Sequence, residues 1–339
     1  MIKMKNSILI LTIFLLLISC QEETGELYVA TKGSDSNTGT IDAPFATITH
    51  ARNTVRKKIA AGYKGNITIS LRGGIYRLEE TLVFGLEDSA PEGHTVRYQA
   101  YQNEKPIITS GKLIYGWKKL TSFSSELPIV AQGNVWVANI ESAKNWQFRT
   151  LFDGEKMLSR ARSAGFVPTM ECPAPSLAHR WQEMNTLGFP EGKLRNWDNL
   201  EDVEIFIRPT HQWLVNYLPI EKVDEQNGIA TTSIPGTYRL SKVVKKNWDE
   251  TCWVENVLEA LDEPGEWVLN SKTGKLYYWP ESGKPGDNIS APVVRELVLV
   301  EGRNVDAVEG DIPIQGIIFD GLTFTGGDRD VWTVEDRGI

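Results

Sequence analysis

Short apolar strands recur along this chain at a spacing of about 20–30 residues, and that period constrains the fold more than any other feature. Ile67-Thr68-Ile69-Ser70-Leu71 alternates, Gly73-Gly74 turns, and Leu82-Val83-Phe84 follows. Thr95-Val96-Arg97-Tyr98 and Pro106-Ile107-Ile108-Thr109 repeat the pair. Near the end Leu297-Val298-Leu299-Val300 and Ile317-Ile318-Phe319 resume it, and Asp320-Gly321 turns into Leu322-Thr323-Phe324. A unit of this size cannot bury its own apolar face, so neighbours must stack. The period predicts a parallel β-solenoid, with an antiparallel meander as the alternative. A content of 29 Gly, 11 Trp and 10 Tyr beside 5 Met suits turn-rich β structure and not a helical bundle.

Two stretches depart from the period. Leu27-Tyr28-Val29-Ala30 is a strand and 33–40 a turn-rich loop, after which Asp42 and Pro44 suit the start of a helix. Ile48, Ala51, Val55 and Ile59 then recur at helical spacing, and Gly62 ends the run. This helix has one apolar stripe and must lie on the β structure beside it. The second departure is 113–294, which holds ten of the eleven Trp and alternating strands such as Val203-Glu204-Ile205-Phe206-Ile207 and Lys275-Leu276-Tyr277-Tyr278-Trp279. Pro-Gly turns at Pro235, Pro264 and Pro285 separate such strands, which predicts an inserted antiparallel β-sandwich with most of its Trp in the core.

The first residues are not part of the fold. Lys3 and Lys5 precede an apolar run from Ile8 to Ile18, broken only by Thr12, which is too short to span a hydrocarbon core needing about 20 residues. It reads as an export signal. Its ending, Leu17-Ile18-Ser19-Cys20, resembles a bacterial lipobox, which implies cleavage before Cys20 and acylation of that residue. The expected organisation is a signal peptide at 1–19, a tether at 20–26, a cap with the first rungs at 27–112, the insertion at 113–294, and resumed rungs at 295–339. The expected location is the bacterial cell envelope, lipid-anchored at its outer membrane, and Gln21-Glu22-Glu23 is similar to surface-export signals of lipoproteins in the Bacteroidetes. Export permits a disulfide between Cys172 and Cys252, although burial as small hydrophobes is the commoner fate.

Charge excludes one class of partner. Lys and Arg number 36 against 44 Asp and Glu, a net −8 that becomes −10 without Lys3 and Lys5, the wrong sign for tracking phosphates along a nucleic acid.

Three segments resemble a known family. Tyr28-Val29-Ala30-Thr31-Lys32-Gly33-Ser34-Asp35-Ser36-Asn37-Thr38-Gly39-Thr40, continuing to Ala43-Pro44-Phe45-Ala46-Thr47, resembles the N-terminal cap of right-handed parallel β-helix proteins that act on polysaccharides. The second runs from Glu255-Asn256-Val257-Leu258-Glu259 to Glu266-Trp267 and on through Thr273-Gly274-Lys275-Leu276-Tyr277-Tyr278-Trp279-Pro280. The third is Phe319-Asp320-Gly321-Leu322-Thr323-Phe324-Thr325-Gly326-Gly327-Asp328. Together these resemble β-helix glycoside hydrolases such as glycoside hydrolase family 141. The resemblance implies an all-β fold: the start of a right-handed parallel β-helix, a capping helix and the inserted sandwich. It also implies hydrolysis of glycosidic bonds in a complex polysaccharide. Family members carry further rungs with the catalytic carboxylates, so the expectation is that this is the N-terminal part of a longer enzyme and lacks that pair. The alternatives are a polysaccharide lyase and a non-catalytic glycan-binding lipoprotein.

The residues offer few other chemistries. Gly326-Gly327-Asp328-Arg329-Asp330-Val331-Trp332 crowds two Asp, an Arg and a Trp into a loop leaving a solenoid strand, so Asp328, Arg329, Asp330 and Trp332 are the candidate substrate-binding residues: indole faces stack on sugars while Asp and Arg bond hydroxyls. The competing reading is a solvated turn. Asp320 reads as a turn residue, and His211 as a packed or surface histidine. Asp35, Asn37 and Asp42 lack the spacing of a calcium loop and read as turn chemistry. No metal, cofactor, phosphate-binding glycine loop or Gly-x-Ser-x-Gly nucleophile is expected.

Overall fold

A computed structural model describes residues 25–140, 146–172, 184–208, 215–243, 251–304 and 310–330. Apart from one α-helix, the regular structure of the described residues is almost entirely β, so the protein is all-β as expected. It divides into two compact units, one within Met1–Tyr76, Val83–Ile107 and Val300–Thr323, the other within Arg77–Leu82, Ile108–Leu299 and Phe324–Ile339.

The first unit is built on a sheet of Glu26–Val29, Ile67–Leu71, Val96–Ala100 and Ile317–Asp320, in that order and all parallel. The parallel register excludes an antiparallel meander for these strands. Leu27, Ile69, Tyr98 and Phe319 fall on one line across the sheet, so like positions of successive strands stack on one another. Phe84 joins the stack, its ring 5.3 Å from Tyr98 and 5.4 Å from Phe319. The helix is Ile48–Ala60 and buries Ile48, Ala51 and Val55. It begins later than Asp42 and Pro44 suggest because Thr47 is the cap: its hydroxyl accepts from the His50 amide at 3.1 Å. Asp35 accepts from the Ala46 and Thr47 amides at 2.9 Å and from the Thr47 hydroxyl at 2.8 Å. The Asn37 side chain donates to the Pro44 carbonyl, so both residues serve the turn.

The second unit has three main sheets around two cores. One antiparallel sheet orders Thr186–Gly188, Ile229–Thr232, Asn216–Asp224, Glu204–Ile207 and Cys252–Glu255. Another orders Ser159–Arg160, Glu266–Asn270, Lys275–Tyr278, Trp136–Asn139 and Lys118–Lys119, with Ser159–Arg160 parallel to its neighbour. A third orders Lys156–Met157, Phe152–Asp153, Ile289–Pro292 and Gly111–Leu113. The strands Glu266–Asn270 and Lys275–Tyr278 are apolar on both faces. Trp267, Leu269, Leu276 and Tyr278 enter one core with Phe148, Leu151 and Ile289, while Val268 enters the other with Ile205, Leu218 and Val254. Burial on both faces makes this a middle layer, where a plain sandwich would have two layers.

Among the described tryptophans only Trp267 is fully buried; Trp117, Trp146, Trp197 and Trp279 pack against the cores from partly exposed positions. Trp181, Trp213 and Trp248 lie outside the described residues, as does His211. Cys252 is a free, fully buried thiol that packs as a small hydrophobe.

Candidate functional site

Strand alternation builds the site. Register pairs Glu204 with Glu255 and Pro219, and Phe206 with Trp253 and Tyr217. Ile205, Ile207, Leu218, Val254 and Cys252 face the core, so the opposite face collects Glu204, Phe206, Tyr217, Trp253 and Glu255. Phe206 stacks on Trp253 with ring centroids 3.6 Å apart and planes 7° from parallel, and meets Tyr217 edge-on at 5.2 Å.

Glu204 anchors this face. Its carboxylate is only 2% exposed and takes three guanidinium groups. Arg149 Nε donates to Oε1 at 3.1 Å, Arg329 Nη2 donates to Oε2 at 2.5 Å, and Arg160 Nη1 also bonds Oε2. Burial pushes this carboxyl up, but Arg160, Arg329 and Arg149 outweigh burial and hold it down at about 2. It is a permanent anion at neutral pH and no proton donor. Arg160 Nη2 also donates to the Asp202 carbonyl at 2.7 Å, while its buried Nε–H finds no acceptor among the described residues. Arg329 lies over Tyr217 at 4.1 Å, and Arg162 over Trp253 at 5.4 Å.

A cleft of about 560 Å³ opens here, within the range of small-molecule sites. Arg149, Arg160, Arg162, Arg329 and Tyr217 line it together with Glu255, Glu263 and Glu266. Glu255 Oε1 accepts from Trp253 Nε1 at 3.1 Å, and its Oε2 stands 4.0 Å from Arg160 Nη1. Glu266 opens its strand after Gly265, whose φ of +93° a side chain would strain. Oε2 of Glu266 accepts from the Asp262 and Glu263 amides, both at 3.1 Å. Burial pushes the Glu266 carboxyl up to about 7, helped by the Asp262 and Glu263 charges and opposed by those two amides. At neutral pH it is divided between acid and carboxylate, so it can donate as well as accept.

The four sequence-predicted site residues separate. Arg329 reaches the cleft. Asp328 turns inward: it accepts from the Arg149 amide at 2.9 Å, the Thr150 hydroxyl at 3.1 Å and the Arg329 amide at 2.9 Å, so its oxygens are spent on holding the backbone. Asp330 pairs with the exposed Arg295 at 3.0 Å. Trp332 lies outside the described residues. Asp320, expected in the turn, ends the strand and pairs with Arg97 at 2.8 Å, and the turn begins at Gly321 with φ +66°. Among the described residues no group of three or more His, Cys, Asp or Glu is placed to hold a metal ion.

Comparison with known proteins identifies the domain that carries the cleft. Residues 133–281 match the family model of the GH141 insertion domain, which includes every cleft-lining residue except Arg329. A solved structure named as a glycoside hydrolase superposes with a TM-score of 0.63 at 23% identity, over 90% of this chain and 51% of that one. The likeness to GH141 is that of residues 133–281. At that identity the superposition speaks for fold alone, and this chain spans about half the length of the solved hydrolase. A complex of XylC with xylose overlaps at a TM-score of only 0.31 and 16% identity, over 89% of this chain and 35% of that one, too slight to define a shared fold. In Bacillus subtilis (strain 168) the uncharacterized protein YwoF is 37% identical over 90 residues, which are 26% of this chain and 17% of YwoF.

Glu204, Arg149 and Arg160 carry the site and were not singled out by the sequence. Glu255 and Glu266 stand in the segment that resembles family 141, where their spacing gives no sign that they share a cleft.

Proposed function

We propose that this chain belongs to an exported, lipid-anchored protein of the β-helix glycoside hydrolase type that acts on a complex polysaccharide. The match of 133–281 to the GH141 insertion domain carries this reading. Within it, 27–112 supply the cap and first rungs of a right-handed parallel β-helix, 113–294 are an insertion in sequence, and 295–339 resume the rungs. The in-register line of Leu27, Ile69, Tyr98 and Phe319 supports that arrangement, since solenoid rungs stack like positions on one another. The 1–19 segment is a signal peptide, and Cys20 bears the anchor.

Hydrolysis adds water across the glycosidic bond: one carboxylic acid gives its proton to the departing oxygen, while water, directly or through a covalent sugar-enzyme intermediate, supplies the hydroxyl at the anomeric carbon. The catalytic pair belongs to rungs of the whole enzyme. In this chain Arg329 contributes to saccharide binding, and Asp328 positions it by tying the 327–329 backbone to Arg149 and Thr150.

The test is incubation of the whole protein with xylan, fucosylated pectic polysaccharide and polygalacturonate, with reducing ends and ultraviolet absorbance both recorded. New reducing ends without absorbance support hydrolysis. Absorbing, unsaturated products assign a lyase instead, and glycan binding without either product assigns a binding lipoprotein.

A further inference from the structure

The hydrogen-bond ledger of the cleft is open in a particular way. Arg160 lines it with a side chain only 7% exposed, yet its Nε–H has no acceptor among the described residues. An orphan donor so deep is costly unless something beyond the described residues pairs with it. On the same cleft, Glu255 Oε2 and Glu266 Oε1 accept no hydrogen bond among the described residues, although the partner oxygen of each carboxylate is held by the protein. Open donors and open acceptors therefore coexist on one wall.

Charge narrows the ligand. Four guanidinium groups line or underlie the cleft and face Glu204 beneath it and Glu255, Glu263 and Glu266 along it, so the positive charge is largely answered within the site. A phosphate, or the carboxylate of a uronate, would be drawn to Arg160 but repelled by Glu255 and Glu263. An apolar ligand would leave all the open groups unpaired. A hydroxyl both donates and accepts, and adjacent hydroxyls on one rigid ring match an Arg donor flanked by carboxylate acceptors.

We propose that this cleft of the insertion domain is a binding site for a neutral saccharide, with Arg160 donating to a ring hydroxyl and Glu255 and Glu266 accepting from its neighbours. This deepens the carbohydrate reading above and rests on it for the ligand class, but it places binding on the insertion domain, with Arg329 alone coming from the segment that follows. Tyr217 and Arg329 form the adjoining wall, the guanidinium held over the ring. The built geometry, with Glu204 fixing three arginines before any ligand arrives, lowers the ordering cost of binding.

Isothermal titration calorimetry on the full chain tests this with xylotetraose, cellotetraose and mannotetraose as neutral probes, and tetragalacturonate and inorganic phosphate as anionic ones. At least one neutral tetrasaccharide is expected to bind saturably with one site per chain, and neither anion to compete. Glu255→Gln and Glu266→Gln should each weaken binding by about tenfold, the loss expected when a charged acceptor is removed. Lys156→Ala, at an exposed pair with Glu281 outside the acceptor wall, should leave affinity unchanged. Thermal melts of each variant separate lost binding from lost folding, and Glu266→Gln keeps an oxygen for the two amides. The inference is overturned if no neutral probe binds, if an anion binds in preference, or if both Gln variants bind as the parent does. Polysaccharide cleavage with unaltered binding in the variants would sink this inference and leave the hydrolase reading standing. Binding that both variants lose, without cleavage of any substrate, would do the reverse.

Discussion

Glu204 is a single carboxylate answering three buried or half-buried guanidinium groups, and its removal cannot be compensated locally. Glu204→Gln should cost about 3–5 kcal/mol in chemical denaturation at pH 7, the range for breaking a buried ion pair from one side. Its acid profile has a definite sign. The folded carboxyl sits at about 2 against an ordinary 4.5, so its stabilisation is complete above pH 4.5 and is lost as pH falls towards 2. The variant should lack that part of the acid slope. Glu266 runs the other way. Held at about 7 against 4.5, it contributes stability below pH 4.5 that drains away as pH rises through 7. Glu266→Gln should match the parent near pH 4 and exceed it at pH 8 by on the order of 3 kcal/mol, read from denaturation midpoints at both pH values. Of these residues the sequence displays only the oddity of Glu204 inside an apolar strand. Its arginines come from positions 149, 160 and 329, and no local pattern announces a contact made across such distances in the chain.

The turn after Cys252–Glu255 shows how one residue locks two sheets. Asn256 is fully buried with φ +69°, a left-handed conformation that Asn tolerates better than most residues. Its side-chain oxygen accepts from the Leu269 amide at 2.7 Å, and its Nδ2 donates to the Leu269 carbonyl at 2.7 Å and the Asp202 carbonyl at 3.1 Å. Asn256→Ala removes all three bonds from buried backbone and adds strain, so a loss of about 3–5 kcal/mol is expected. Asn256→Gly relieves the strain alone and should recover about 1 kcal/mol of it, measured in the same denaturation series. Elements of this unit were partly legible. Alternation in 203–207 and 275–279 marks true strands, as does the parallel set in the first unit. The middle layer was not, because an apolar run such as Trp267-Val268-Leu269 reads alike whether one face or both are covered. The helix start was misjudged for a related reason: Asp42 and Pro44 are plausible local signals, but the cap that forms is Thr47, held by Asp35 from the preceding loop.

For the molecule as a whole, the proposed lipid anchor makes its own prediction. Among the described residues no helix is long and apolar enough to cross a membrane. A net charge of −8 would repel an anionic lipid face and so disfavours electrostatic adhesion. On the proposed reading the Leu17-Ile18-Ser19-Cys20 ending, which resembles a lipobox, would supply an attachment through an acylated Cys20. One acyl chain gives marginal, reversible binding, whereas two or more, each worth about 0.8 kcal/mol per buried methylene, hold a protein firmly. The expectation follows that the protein expressed with its own leader sediments with membranes and is released by detergent but not by salt. Cys20→Ser removes the thiol that would carry the lipid and should move the protein out of the membrane pellet or leave it unprocessed with the leader attached. Mass spectrometry of the mature N-terminus distinguishes these fates. Parent protein that stays in the soluble fraction, with an unmodified Cys20, would overturn the anchor while leaving the cleft and its saccharide test untouched.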